Sequence, residues 1–362
     1  MRIMQLLFSF TVGGAEKLVV DLSNQLIKRG HEVHVYVVND LYDESMLELL
    51  SDQIKVVLQK RAVSGHDKIK TIKCITKYIK DERIEIVHCN SFSAPNLLCL
   101  KPMFFKKTKV VQTIHDIHYF DSLSKKQIKF RNYIVNNFIA ISESVFADIG
   151  KHGIESDKIE VVYNAIDISK FSQKKKKKTN SQFIIANVAR IMPEKKGQDI
   201  LIRAIAEIKK IQPKVECWLV GNEAIGYEGT INELKKLSEE LGVYDNIKFL
   251  GNIENIPELL NKIDLFVLPS RFEGFGISLI EAMAMEVPCI ASNLDGPAEI
   301  IGKEERGYLF EKENIEMLAD KILYVMNNRD VSEMKKRTAR RYVEDNFNII
   351  NMTNKILKIY QK

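Results

Sequence analysis

Cysteine is scarce and unpatterned. The five residues at 74, 89, 99, 217 and 289 show neither metal-ligand nor redox spacing. Four lie in or beside apolar runs, where a thiol behaves as a small hydrophobe, and a reduced, cytosolic compartment fits them best. No apolar run after the N-terminus approaches the ~20 residues that span a bilayer. The net charge of +6 is modest, and no nucleic-acid motif accompanies it, so nucleic acid is not an expected partner. No repeat of solenoid period occurs. A full Gly-x-Gly-x-x-Gly is missing, which removes the dinucleotide fingerprint. Asp-x-Asp is missing too, so a metal-bridged diphosphate is not implied and no metal ligand is assigned.

What is present is ordinary globular material: 45% hydrophobic and 28% charged residues. At 362 residues the chain is long for one core and comfortable for two domains. Met1 and Arg2 precede an apolar run over 3–12 and then Gly13-Gly14-Ala15. A short signal peptide would have this shape. A buried first strand with a glycine turn reads better, because 15–29 continue as an amphipathic helix and 31–38 as a second strand.

Strand and helix alternate from end to end. In the first half, short Val- and Ile-rich strands are predicted at 2–8, 32–38, 54–58, 84–88, 109–114, 138–141 and 159–162. Helices are predicted near 15–29, 67–81, 93–101, 124–137 and 142–152. Five consecutive lysines at 174–178 mark an exposed linker, 171–181, between domains 1–170 and 182–345. The rhythm then restarts with strands at 183–188, 215–220, 247–250, 265–268, 288–291 and 308–310. Helices follow near 197–211, 230–241, 277–286 and 313–328, and a last helix over 346–362 is expected to pack back on the first domain. This is an α/β chain with two Rossmann-like domains, whose ligands would lie beyond the carboxyl ends of the strands. Two such domains facing each other would place both ligand edges on one cleft.

The strongest motif is Ser270-Arg271-Phe272-Glu273-Gly274-Phe275-Gly276-Ile277-Ser278-Leu279-Ile280-Glu281. It follows a strand and opens a helix. Gly274 and Gly276 leave backbone N–H groups bare for a polar ligand, and the helix start adds orphan donors and a positive pole. The two glutamates eight positions apart suit vicinal hydroxyls. A structural reading also exists: Ser278 and Glu281 have capping-box spacing. The second motif is Asn187-Val188-Ala189-Arg190-Ile191-Met192-Pro193-Glu194-Lys195-Lys196-Gly197, where Arg190 and Lys196 would clamp a diphosphate. The third is Phe10-Thr11-Val12-Gly13-Gly14-Ala15-Glu16, a strand-to-helix turn suited to a phosphate or acceptor. The fourth is His115, at the end of the strand over 109–114. His88 and His118 read as structural.

Together these residues resemble a family 4 glycosyltransferase of the GT-B fold. The likeness runs from Gly13-Gly14 to about residue 310. It includes Val162-Tyr163-Asn164-Ala165-Ile166-Asp167, with Ala165 where the family has glycine, and Gly296-Pro297-Ala298-Glu299. The resemblance implies a retaining, metal-independent hexosyl transfer from a nucleotide-sugar, with a UDP-sugar expected as commonest in the family and no cofactor. It implies that Glu281 holds the ribose and that Arg190 and Lys196 neutralise the leaving diphosphate. Glu273 and the Gly274-Phe275-Gly276 backbone would hold the donor sugar. Gly14 would approach the diphosphate, and His115 would bond near the reacting sugar. A phosphorylase or nucleotide-sugar epimerase on the same fold, or a non-catalytic nucleotide-sugar-binding protein, are the alternatives.

For the acceptor, charge is informative. Between residues 55 and 131 seventeen basic residues face six acidic ones, a balance of +11. Ile69, Ile72, Ile75 and Ile79 share a helical face with lysines interspersed, and Met103 and Phe104 precede Lys106 and Lys107. Such a surface would meet an anionic membrane, and a lipid-linked saccharide at its cytoplasmic side is the expected acceptor, as in surface-polysaccharide assembly. The competing reading packs the isoleucines on the sheet and leaves the lysines in water.

Overall fold

The computed structural model describes residues 1–63, 67–172, 182–224 and 226–362. The chain divides into two compact units, Met1–Ala165 joined by Ile349–Lys362, and Ile166–Asn348. The division at 165/166 lies ahead of the expected linker, of which residues 173–181 fall outside the described ones.

Among the described residues the first unit holds seven parallel strands: β1 (Arg2–Leu7), β2 (Glu32–Asn39), β3 (Lys55–Arg61), β4 (Ile86–Cys89), β5 (Lys109–Ile114), β6 (Asn137–Ala140) and β7 (Ile159–Val161). Their order is β3-β2-β1-β4-β5-β6-β7. β1 lies third in that order, between β2 and β4, with Ile3 opposite both Val33 and Ile86. Central strands are buried on both faces because helices cover both. Edge strand β3 alternates less cleanly and carries Lys55 and Lys60, which blunt the edge. Helix Gly14–Lys28 buries Leu18, Val19, Leu22 and Leu26, with Glu16 in its first turn and Lys28 in its last, matching the helix dipole. Helix Ile349–Gln361 buries Ile349, Met352, Ile356 and Ile359 at helical spacing and shares one core with the helix Gly14–Lys28 face.

The second unit holds, among its described residues, six parallel strands: β8 (Phe183–Val188), β9 (Val215–Val220), β10 (Ile247–Gly251), β11 (Leu265–Leu268), β12 (Cys289–Ser292) and β13 (Tyr308–Phe310). Their order is β10-β9-β8-β11-β12-β13. Helix Gln198–Lys209 is buried along Ile200, Leu201, Ile202, Ala204, Ile205 and Ile208 and anchors this core. The unit closes where the chain enters and leaves it: the Ile166 N–H donates to the Phe347 carbonyl at 2.9 Å.

Three readings are corrected. The helix expected at 93–101 is a 3-10 turn, Ala94–Leu97, followed by a short helix, Lys101–Phe104. Pro95 and Pro102 each start a segment, as proline does at a first turn, and neither continues one. The capping box at Ser278 and Glu281 does not form. The helix Ile277–Ala284 starts behind Gly276, which offers no side-chain cap, so Glu281 lies beyond the first turn. The isoleucine face of helix Lys68–Asp81 is not a free surface, since Ile75 and Ile79 are buried and only Ile69 is strongly exposed.

Candidate active site

In the second unit, strand order reverses between β8 and β11, which are neighbours in the sheet. A crevice at such a switch point, beyond the carboxyl ends, is where open α/β sheets bind ligands. The two strongest motifs leave the sheet here: 189–197 after β8, and 269–276 after β11.

The loops are pinned together. Gly197 has φ +67, and a Cβ there would lie 2.0 Å from the Pro269 carbonyl oxygen, so only glycine permits the contact. The Arg271 and Phe272 N–H groups both donate to the Lys195 carbonyl. The Arg271 guanidinium grips Asp199 with two nitrogens at 2.7 and 2.9 Å, donates to the Pro193 carbonyl at 2.7 Å, and reaches Glu313 at 2.7 Å. This planar fork is a job lysine does poorly. From the other side, Gly296 lets the helix Asp295–Ile301 lie on the 274–275 backbone, because a Cβ at 296 would stand 2.5 Å from the Gly274 carbonyl oxygen.

On this frame the predicted residues converge. Lys196 Nζ donates to Glu273 Oε2 at 2.8 Å, both side chains being largely buried, and the Ser270 hydroxyl donates to the same oxygen at 3.3 Å. Arg190 is exposed at the head of the loop, and Glu281 is buried on the helix Ile277–Ala284. Gly276, at φ +110, caps that helix without a side chain, so its first N–H groups are left to a ligand or solvent. The Phe275 ring packs edge-on against Phe347 at 5.2 Å in the core, so only its backbone can serve a ligand. A carboxylate paired with an ammonium and a helix N-terminus thus lie at one switch point, with the exposed Arg190 on the loop that follows β8. That set can bind a polyhydroxyl group and neutralise a departing anion.

The first unit has its own switch point, between β1 and β4. Gly14 is the exposed first residue of helix Gly14–Lys28, behind Gly13 in extended conformation with no side-chain cap. Asp43 sets the approach by accepting the Val12 N–H at 2.7 Å. His115 stands one residue past the end of β5. Its Nε2 is buried without a hydrogen-bond partner, beside a cavity of about 20 Å³ lined also by His88, Asn90, Thr113 and Asn164. Burial pushes its pKa down to about 4, so the ring is neutral at pH 7. His88 is fully engaged, with Nδ1 2.7 Å from the Tyr360 hydroxyl and Nε2 2.7 Å from Thr113 Oγ1. His118 pairs with Asp121 at the surface.

Ser270, Arg271, Asp199, Gly296 and Asp43 escaped the sequence reading as site-building residues. Arg271 lay inside a motif, but its partner is 72 positions away.

Residues 12–170 match the model for Glycosyltransferase Family 4, and residues 168–342 match that for Glycosyl transferases group 1. The chain is 26% identical to the N-acetyl-alpha-D-glucosaminyl L-malate synthase of Bacillus anthracis over 97% of its own length and 94% of the relative's. It is 26% identical to the UDP-Gal:alpha-D-GlcNAc-diphosphoundecaprenol alpha-1,3-galactosyltransferase of Escherichia coli, over 83% and 81%. In fold it is similar to Anabaena HepE crystallised with UDP-glucose, with a TM-score of 0.87, 22% identity and coverage of 100% and 99%. The TarM structure from S. aureus is also similar, with a TM-score of 0.83, 15% identity and full coverage of both chains. Two parallel Rossmann-like sheets, the motifs at their switch points and a pair of family matches spanning 12–342 agree: this chain belongs to the group 1, family 4 glycosyltransferases of the GT-B fold.

Proposed function

We propose that this glycosyltransferase moves a hexosyl unit from a UDP-sugar to a lipid-linked saccharide, with retention and without a metal at the reacting centre. The observation that carries the donor side is the Lys196–Glu273 pair at the β8/β11 switch point, 2.8 Å apart. On binding, the ammonium is shared between Glu273 and the diphosphate, and Arg190 swings in from the surface. Glu281 accepts from the ribose hydroxyls. Glu273 and the 274–276 backbone hold the sugar, while Gly14 meets the diphosphate and neutral His115 bonds near the reacting carbon. The sugar–phosphate bond breaks toward the diphosphate, whose growing charge the two cations stabilise. The acceptor hydroxyl attacks the face just vacated and its proton passes to the leaving phosphate oxygen, so no enzymic nucleophile forms. UDP is supported by the relatives: the E. coli enzyme is named for UDP-Gal, and HepE was crystallised with UDP-glucose.

The acceptor side rests on surface chemistry. Met103 and Phe104 are exposed, Lys80 Nζ lies 5.5 Å from the Phe104 ring centroid, and Lys106 and Lys107 are exposed beside them. Apolar tips ringed by lysine suit an anionic headgroup layer. Among the described residues no helix is long and apolar enough to cross a membrane. The E. coli relative's name carries a diphosphoundecaprenol acceptor.

A thermal-shift screen of UDP-, GDP- and ADP-sugars tests the donor, because a ligand of the native state raises the melting point. A UDP-sugar should shift it most and then turn over in excess EDTA, which strips a loosely held ion. Preference for another base, or activity lost in EDTA and restored by Mg²⁺, sinks that part of the reading.

A further inference from the structure

The opposite end of the first unit's sheet, where its strands begin, carries a second polar cluster. Glu32 opens β2 and His34 lies two positions on, so both point to one face of the strand. Lys55 opens β3, opposite His34 in the register. Helix Lys68–Asp81 covers that face, and its last turn brings Tyr78 and the capping residue Glu82 over the strand ends.

Lys55 Nζ lies 2.8 Å from Glu32 and 3.0 Å from Glu82, which accounts for both carboxylates. It does not account for the imidazole. The His34 side chain is wholly buried, and its Nδ1 lies 2.7 Å from the Tyr78 hydroxyl. Its Nε2 has no hydrogen-bond partner although it is 3.3 Å from Glu32 Oε1, aimed into the cluster. One ligand atom from each of Glu32, His34 and Glu82 can be chosen so that all lie within 4.8 Å of one another.

We propose that Glu32, His34 and Glu82 form a binding site for a first-row divalent cation, Zn²⁺ foremost. One imidazole and two carboxylates with room for a water complete a tetrahedral set for that ion. With the Tyr78 oxygen accepting the Nδ1 proton, the Nε2 lone pair turns inward, held by the kind of outer hydrogen bond that orients a ligating histidine. Two carboxylates then balance the two positive charges, and the Lys55 ammonium, more than half exposed on a flexible stem, withdraws to water. The ion would tie the start of β2 to the end of helix Lys68–Asp81, far along the strands from their carboxyl ends. The site acts on stability and takes no part in transfer.

The test uses the full chain stripped with EDTA. Calorimetric titration with Zn²⁺ should show one ion per chain, with a raised melting point that EDTA reverses, and Co²⁺ should give a tetrahedral visible spectrum. Tyr78→Phe, which keeps the ring and removes the outer hydrogen bond, should weaken binding by about tenfold. Glu82→Gln should weaken it more and His34→Gln should abolish it, while Lys55→Met, which removes the competing ammonium, should tighten it. Circular dichroism checks each fold; should the buried His34 variant misfold, the Glu82 and Tyr78 variants decide. Absence of stoichiometric Zn²⁺ binding overturns the proposal. So does binding that ignores Glu82→Gln, which would place the ion on other histidines, or a Lys55→Met chain that binds no more tightly.

Discussion

The carboxyl ends of the two sheets are built differently. In the second unit the loops are bound by charge: Arg271 to Asp199 and Glu313, Lys196 to Glu273. In the first unit the corresponding region is held by buried neutral groups, His88 with Tyr360 and Thr113, beside an unpartnered His115 Nε2. Under the proposed function the difference fits two tasks. A site that must receive a diphosphate keeps cations in reserve, paired with carboxylates until the anion arrives. A site that must position a hydroxyl next to a reacting sugar gains from a dry wall of uncharged hydrogen-bonding groups.

The largest expected effect probes the charged side. Lys196→Ala should lower kcat by about 100- to 1000-fold if it acts on the leaving group, with the fold intact by circular dichroism. A rise in KM alone would make the clamp a plain binding device. Gly197→Ala comes next. Its Cβ would strike the Pro269 carbonyl at a left-handed φ, so we expect a loss of roughly 3 kcal/mol in chemical denaturation and weakened UDP binding in the same variant. Arg271→Ala should remove about 2 kcal/mol through lost charge-assisted hydrogen bonds; Arg271→Lys should recover only part, since it cannot fork onto Asp199.

The neutral side responds to pH. Burial holds His88 at about 3 in the folded chain against 6.5 when free. Below pH 6.5 the unfolded chain takes up a proton that the native one refuses, so stability present above pH 6.5 is lost as pH falls. The slope for this one group approaches 1.4 kcal/mol per pH unit. His88→Gln should flatten the stability profile between pH 6.5 and 4 relative to wild type; an unchanged slope would mean the ring is not buried neutral. The smallest effect is at the lysine-ringed apolar tip. Lys106→Glu with Lys107→Glu should weaken sedimentation with anionic liposomes by about 1 kcal/mol per charge removed, and raised salt should do the same to wild type. No binding to anionic vesicles at low salt would favour a soluble acceptor.

The fold was largely legible because apolar periodicity is local. β5, β8, β9, β11 and β13 fall where the runs of Val, Ile and Leu put them. The region over 93–104 was not, because a helical pattern carries no penalty for Pro95 or Pro102 until backbone geometry is drawn. Candidate site residues were legible where the chemistry proposed for them is written in adjacent positions, as in Glu273-Gly274-Phe275-Gly276. They were hidden where function depends on a distant partner. Nothing near Gly197 announces that it must pass under Pro269, and nothing near Asp43 says that it will hold Val12. The isoleucines of helix Lys68–Asp81 show the converse: one pattern left two readings open, and Ile75 and Ile79 take the buried one.

The helix Ile349–Gln361 belongs to the core of the first unit although the whole of the second unit's sequence precedes it. A ribosome therefore delivers the second unit complete while the first still lacks the side chains of Ile349, Met352, Ile356 and Ile359. The first unit must wait, with part of its apolar surface uncovered, through the translation of some 180 residues, which takes roughly 10 to 40 seconds at ordinary rates. The order of assembly is the reverse of the order of synthesis, and the interval is when this protein has most need of a chaperone.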